Sequence, residues 1–131
     1  MQYRNGPLAW TSRKAKFVPL SSCEIEVFGV VMLLKEAEFA NQVIEFLSGP
    51  LEKKTLAVTD NRAARDVIKC PGATKRTVHF DRWLHFAREL VMMNKAEIIF
   101  APTDDMMADG LTKPVDKTKF LKCRDYMMSS F

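Results

Sequence analysis

Three carboxylates are placed where they could do chemistry: Glu26, Asp60 and Asp109. Glu26 is the second acid of "CEIE", at the start of a long helical run. Asp60 ends the apolar run "LAVT", and Asp109 sits beside Gly110 in "DDMMADGLTKP". Acids at the ends of strands and helices can converge on a divalent cation. Mg²⁺ prefers such oxygen ligands and keeps several waters. Two ions about 3.5–4 Å apart can activate water and stabilise a leaving oxygen in phosphodiester cleavage. Without metal, clustered carboxylates repel one another, and one or more of their pKa values should rise.

Each acid also has an ordinary reading. Asp60 or Asn61 can cap a helix beginning near Arg62. Asp109 can be a turn residue, and Glu26 can be a solvated first-turn acid favoured by the helix dipole. Helical geometry separates Glu26 from Glu24. At ~100° per residue the two point roughly 200° apart. Steps from Glu24 reach Phe28, Val31, Lys35 and Glu38, a face that becomes polar. Steps from Glu26 reach Val30, Leu33, Ala37, Ala40 and Ile44, a face expected to pack on a sheet. Glu24 has a local job, because Ser21 three residues before it makes a capping-box pattern.

The elements that must position these acids can be read from pattern. Residues 7–12, "PLAWTS", read as a short strand, followed by the basic turn "RKAK". The spacing predicts a helix over 22–48, stopped by Gly49-Pro50. It is apolar nearly all round from Val27 to Leu34, so that part should be largely buried. A buried strand is expected over 54–59 and a short helix over 61–69, ended by "CPG". Another helix is expected over 78–94 and a strand over 96–102. Thr103 is a plausible cap for the turn that follows, with Asp104 and Asp105 as first-turn acids. An amphipathic helix closes the chain from Asp116. The order predicts an α/β chain with parallel strand pairing.

Bulk properties narrow the class. A chain of 131 residues reads as a single domain, 1–131. Its net charge of +4 suits a polyanionic partner without requiring one. Cys23, Cys70 and Cys123 form no CxxC pair and read as reduced thiols. His79 and His85 fall on different faces of one helix, which disfavours a two-histidine metal site. The longest apolar run, "VFGVVMLL", is too short to cross a bilayer. The N-terminus lacks the apolar core of a signal peptide. No membrane association is expected, and an intracellular location is.

Three blocks of this chain resemble a known family. "GPLAWTSRKAKFVPLSSCEIEVFGV" is similar to the pattern G-P-x-x-W-x-S-[KR]-[KR] leading to S-S-x-E-A-E-Y. "TDNRAARDVIKCPGATKRTVHFDRWLHFARE" resembles C-D-N-x-x-A followed by R-T-K-H-I-D-x-x-x-H-F-x-R-E. "FAPTDDMMADGLTKPVDKTKFLKCRD" resembles V-P-T-x-D-x-x-A-D-x-x-T-K-x-L. The family is the ribonuclease H domain at the C-terminus of Copia-type (Ty1/copia) retrotransposon Pol polyproteins, matched over about residues 6–126. The resemblance implies a ribonuclease H-like fold. It also implies metal-dependent hydrolysis of the RNA strand of RNA/DNA hybrids during reverse transcription. The cofactor would be Mg²⁺ or Mn²⁺, two ions in a complete site. Glu26, Asp60 and Asp109 fall on the family's catalytic, metal-binding acids. Arg13, Lys14, Lys16, Arg62, Lys75, Arg76 and His79 would touch nucleic acid, with a solvated surface the plainer reading for most of the basic residues. Arg65 could join them. His85 reads as helix packing. The upstream reverse transcriptase region of Pol becomes an expected partner, and the setting cytoplasmic, in a virus-like particle, or nuclear.

The family's domain begins with two strands that have no counterpart here, and the first carries an aspartate. No acid precedes Glu24 in this sequence. The expected fold is therefore incomplete, lacking its first two strands and with them the central one. Sheet edges beside residues 7–12 and 55–59 should be open and able to pair with another chain. Activity in the chain by itself should be weak or absent. The alternative is a non-catalytic retroelement remnant that binds nucleic acid or self-associates through the open sheet edges.

Overall fold

A 27-residue helix, α1 (Ser22–Ser48), dominates the chain. Ser21 has an extended backbone and its hydroxyl accepts from the Glu24 N–H. The Glu24 carboxylate reaches back to the Leu20 N–H at 2.6 Å, so the capping box closes one residue earlier than the standard pattern. At the other end Gly49 adopts φ 86°, a left-handed angle that an L side chain resists, and its N–H bonds the Glu45 carbonyl. This computed structural model describes residues 1–3, 6–12, 14–70 and 81–128.

Two compact units emerge: Met1–Lys16 with Ala101–Phe131, and Phe17–Phe100. In the second unit α1 is followed by β3 (Thr55–Thr59), α2 (Arg62–Lys69), α3 (Asp81–Met92) and β4 (Ala96–Phe100). Strands β3 and β4 pair in parallel, with Thr55 opposite Ala96 and Thr59 opposite Phe100. Parallel neighbours need a crossover, and the segment bearing α2 and α3 supplies it. The helices cover the sheet face that carries Ala57, Ala96 and Ile98. These three join Val27, Val31, Leu34, Ala64, Ile68, Leu84 and Ala87 in one core. Leu56, Val58 and Ile99 on the opposite face are exposed. Phe17 closes one end of this unit by packing on Phe28 and Trp83, with ring centroids 5.0 and 5.1 Å away.

In the first unit β1 (Gln2–Tyr3) pairs antiparallel with β2 (Gly6–Pro7). Two 3₁₀ turns, Thr103–Asp105 and Met107–Leu111, lead to α4 (Lys117–Met128). Gly110 lies against α4 so closely that an added Cβ would sit 3.0 Å from Cβ and 3.2 Å from Sγ of the buried Cys123. A larger residue there would have to push the Cys123 side chain aside by a few tenths of an ångström.

The boundaries of α1, β3, α2 and β4 fall within two residues of expectation. Four expectations need correction. The strand predicted over 7–12 is absent: of that stretch only Pro7 lies in a strand, Gly6–Pro7, whose partner β1 is two residues long, and "LAWTS" carries on as irregular chain. The buried stripe of α1 runs through Glu24, Val27, Val30, Val31, Leu34 and Ala37. Glu24, 6% exposed, therefore heads the core-facing stripe while Glu26 flanks it half-buried. A run apolar on all sides cannot phase its own helix; contact with β3 and α3 does. Thr103 is the first residue of its turn and not the cap, since Pro102 holds the N-cap position without a side-chain hydrogen bond. His85 is exposed rather than packed, 3.6 Å from Asp81. Arg13, Lys75, Arg76, His79, the expected helical start at 78–80 and the end of the last helix at 129–130 lie outside the described residues.

Candidate active site

Strand β3 ends in three residues with three different tasks. Thr59 is buried beneath α1, Asp60 is half-buried at the strand's end, and Asn61 caps α2. The Asn61 carboxamide oxygen accepts from the Ala64 N–H at 3.0 Å. That settles which residue caps the helix and leaves Asp60 without that duty. Replacing Asn61 by alanine is expected to lower stability by about 1 kcal/mol. Asp60→Ala should leave helix content unchanged. Urea titrations of both variants, followed by circular dichroism, check the pair.

Helix α1 brings Glu26 to the same place. The Thr59 hydroxyl donates to Glu26 Oε2 at 3.3 Å and accepts from the Asn61 N–H at 3.2 Å. A single buried hydroxyl thus links the helix carboxylate to the backbone that flanks Asp60. Cys23, one turn before Glu26, has its thiol pKa pushed up by burial and then by the Glu26 charge. It stays a protonated, poorly nucleophilic thiol at neutral pH.

Basic side chains cluster at the same end of the sheet. Arg62 stacks over the Phe100 ring at 4.7 Å and Arg65 lies 6.0 Å from that ring. Arg65 also pairs with Asp66 at 2.6 Å, which engages part of its charge locally. Arg62 is exposed, as are Lys14 and Lys16 in the other unit.

Asp109 occupies a different setting. It lies in the 3₁₀ turn Met107–Leu111 and is 7% exposed. Lys113 Nζ meets its Oδ1 at 3.0 Å and Lys119 Nζ meets its Oδ2 at 2.9 Å. Lys119 also donates to the Thr103 carbonyl at 2.6 Å, tying α4 to both turns. Burial pushes the Asp109 carboxyl up, but hydrogen bonds from Lys119 and Lys113 and their charges outweigh it and hold it below the usual carboxylate range. The expected rise from carboxylate crowding is therefore reversed at this residue. The bond to Asp109 in turn raises the Lys119 ammonium.

The donor chemistry is a mixed fit to divalent metal. Glu26 and Asp60 are hard oxygen donors at one strand end, suited to Mg²⁺ or Mn²⁺. Asp109 does not fit as it stands, since each of its oxygens is engaged by an ammonium. Among the described residues no three His, Cys, Asp or Glu side chains are grouped to hold an ion. Sequence pattern missed Thr59, Phe100 and Lys119. Lys113 carried a signal, the i,i+4 spacing from Asp109; Lys119 reaches back from another helix and carried none.

The chain is 29% identical over 123 residues, 94% of its length, to the retrovirus-related Pol polyprotein from transposon TNT 1-94 of Nicotiana tabacum. It is 30% identical over 114 residues, 87% of its length, to the retrovirus-related Pol polyprotein from transposon RE1 of Arabidopsis thaliana. It is 29% identical over 114 residues to the corresponding polyprotein from transposon RE2 of the same plant. Its relatives are thus retrovirus-related Pol polyproteins of plant transposons. The chain spans only 9% of the first relative and 8% of the other two. No protein-family model matches the chain, and no solved structure does.

Proposed function

We propose that this chain is the ribonuclease H portion of a Copia-type retrotransposon Pol polyprotein, contributing to hydrolysis of the RNA strand of RNA/DNA hybrids. The observation that carries the reading is the hydrogen bond joining Glu26 to Thr59, which sets a helix carboxylate beside the strand end that bears Asp60. Similarity to Pol polyproteins over nearly the whole chain supports it. Mg²⁺ or Mn²⁺, when bound, would supply an activated water and a stabilised leaving oxygen. Glu26 and Asp60 would hold the ion. Thr59 keeps the Glu26 carboxylate aimed, and the exposed Arg62 at the same strand end is placed to meet backbone phosphate. Such contact is sequence-independent and weakens steeply with salt. The reverse transcriptase region of Pol is the proposed partner within the longer polyprotein.

No acid precedes Glu24 in the 131 residues. A further aspartate ligand would come from other Pol sequence. The 131-residue chain is therefore expected to cleave a labelled RNA/DNA hybrid weakly or not at all in Mg²⁺. A longer Pol segment that adds an aspartate-bearing strand should cleave it. In that segment Asp60→Asn and Glu26→Gln should each lower the rate about 10²–10³-fold, the scale of losing one electrostatic stabiliser. Cleavage that both substitutions leave intact would reject the site.

The lysine-paired Asp109 favours a second reading, a non-catalytic remnant that binds nucleic acid or associates with itself. Hybrid binding without cleavage in the longer segment would select it.

A further inference from the structure

The second half of α1 carries an apolar stripe that no part of its own unit covers. Asn41 Nδ2 donates to the Thr55 hydroxyl at 2.9 Å, which aligns position 41 with the first residue of β3. The helix continues seven residues further, ~10 Å at 1.5 Å per residue, past the start of the strand. Its last buried residue is Ala37. Beyond that point Phe39 is 68%, Val43 42%, Phe46 89% and Leu47 74% exposed. At ~100° per residue these four fall within one face roughly 100° wide, the width of a helix-packing surface. They stand opposite the stripe that faces the core.

A solvated helix face is normally polar, and isolated apolar residues on it need no explanation. This stripe is continuous over two turns and includes two exposed phenylalanines, of which Phe46 is nearly bare. Its apolar surface is on the order of 500 Å², at the upper end of the largest patch on an ordinary monomer. Residues bordering it are Glu36, Gln42 and, at its N-terminal end, Lys35, whose ammonium lies 5.6 Å from the Phe86 ring. A single lysine beside a glutamate is not the basic cluster that an anionic lipid surface or a nucleic acid requires.

We propose that this stripe is a helix–helix docking surface for a second copy of the same chain, packed antiparallel about a two-fold axis near Val43. The area argues for a second copy. Two such stripes, facing each other, together bury on the order of 1,000 Å², and rim contacts bring this to the lower bound of a specific protein interface. The stripe is self-complementary in the way a two-fold interface demands: around Val43, Phe39 of one copy meets Leu47 of the other. This contact is distinct from the sheet edge and does not depend on the nuclease reading.

Sedimentation equilibrium of the 131-residue chain tests it. The weight-average mass should climb from the monomer value of 15.0 kDa towards twice that as concentration rises from ~1 µM to ~1 mM. Phe46→Asp should weaken association at least tenfold while thermal unfolding of the dilute monomer stays unchanged, because that side chain is outside the core. Val58→Lys, on the bare sheet face, should leave the dimer intact. A chain that remains monomeric throughout would overturn the proposal. So would a dimer indifferent to Phe46→Asp, or one lost with Val58→Lys alone, which would assign association to the sheet.

Discussion

Leu84→Ala is expected to destabilise the chain by about 3–5 kcal/mol, a large share of the 5–15 kcal/mol that holds an ordinary domain together. Leu84 is fully buried in α3, within the cluster that includes Val27, Val31, Leu34, Ala64, Ile68 and Ile98. Every helix of its unit and both strands contribute to that cluster. A void there removes contacts from all of them at once, and among the described residues the two-stranded sheet has no other core to lean on. In urea the unfolding midpoint should fall sharply while the denaturant slope is kept. Ile98→Val, which deletes one methylene from the same cluster, should lose only about 1 kcal/mol. A Leu84→Ala midpoint near wild type would mean that the helices do not share one core.

Asp109→Asn is expected to destabilise by about 2 kcal/mol at neutral pH. Removing one member of a buried pair leaves the other charge uncompensated, which commonly brings a loss of several kcal/mol. The figure is reduced here because Lys113 is about half exposed and solvent screens it. The pH dependence follows from the direction of the shift. The Asp109 carboxyl is held below its ordinary value, so its contribution is complete above the unfolded carboxylate pKa, near 4. The contribution is lost as pH falls through the lower folded value. The gap between wild type and Asp109→Asn should therefore be constant from about pH 5 to 8 and close below about pH 4. Denaturant titrations of both proteins across that range measure it. A gap that widens in acid would show that the lysines do not hold the carboxylate in its charged form.

Much of the frame was legible in the sequence, for local reasons. Ser21 and Glu24 announce the start of α1, and Gly49-Pro50 its end, through chemistry confined to a few neighbouring residues. Strand β3 shows as a short apolar run between a charged pair and an acid. The division of labour between Asp60 and Asn61 was half-legible: either can cap, and only the fold decides that Asn61 does. What was hidden depends on residues far apart in the chain. The phase of α1 is set by the sheet and α3, so Glu24, and not Glu26, heads the buried stripe. The aiming of Glu26 depends on a hydroxyl 33 residues away. The neutralisation of Asp109 depends on α4 as well as on its own turn. All three concern the acids that drew attention first, because a carboxylate's role is decided by its partners.

The parallel register of β3 and β4 also fixes an order of events. Thr55 and Ala96 can meet only after the chain between them has closed a loop, at an entropic expense of about 3 kcal/mol or more. Helix α1 needs no such closure, since its caps and backbone bonds are all local. During synthesis it emerges complete, with its core stripe bare, before β4 has left the ribosome. Pairing of the sheet has to wait for that closure, so the core stripe of α1 is exposed to water for longer than the helix takes to form.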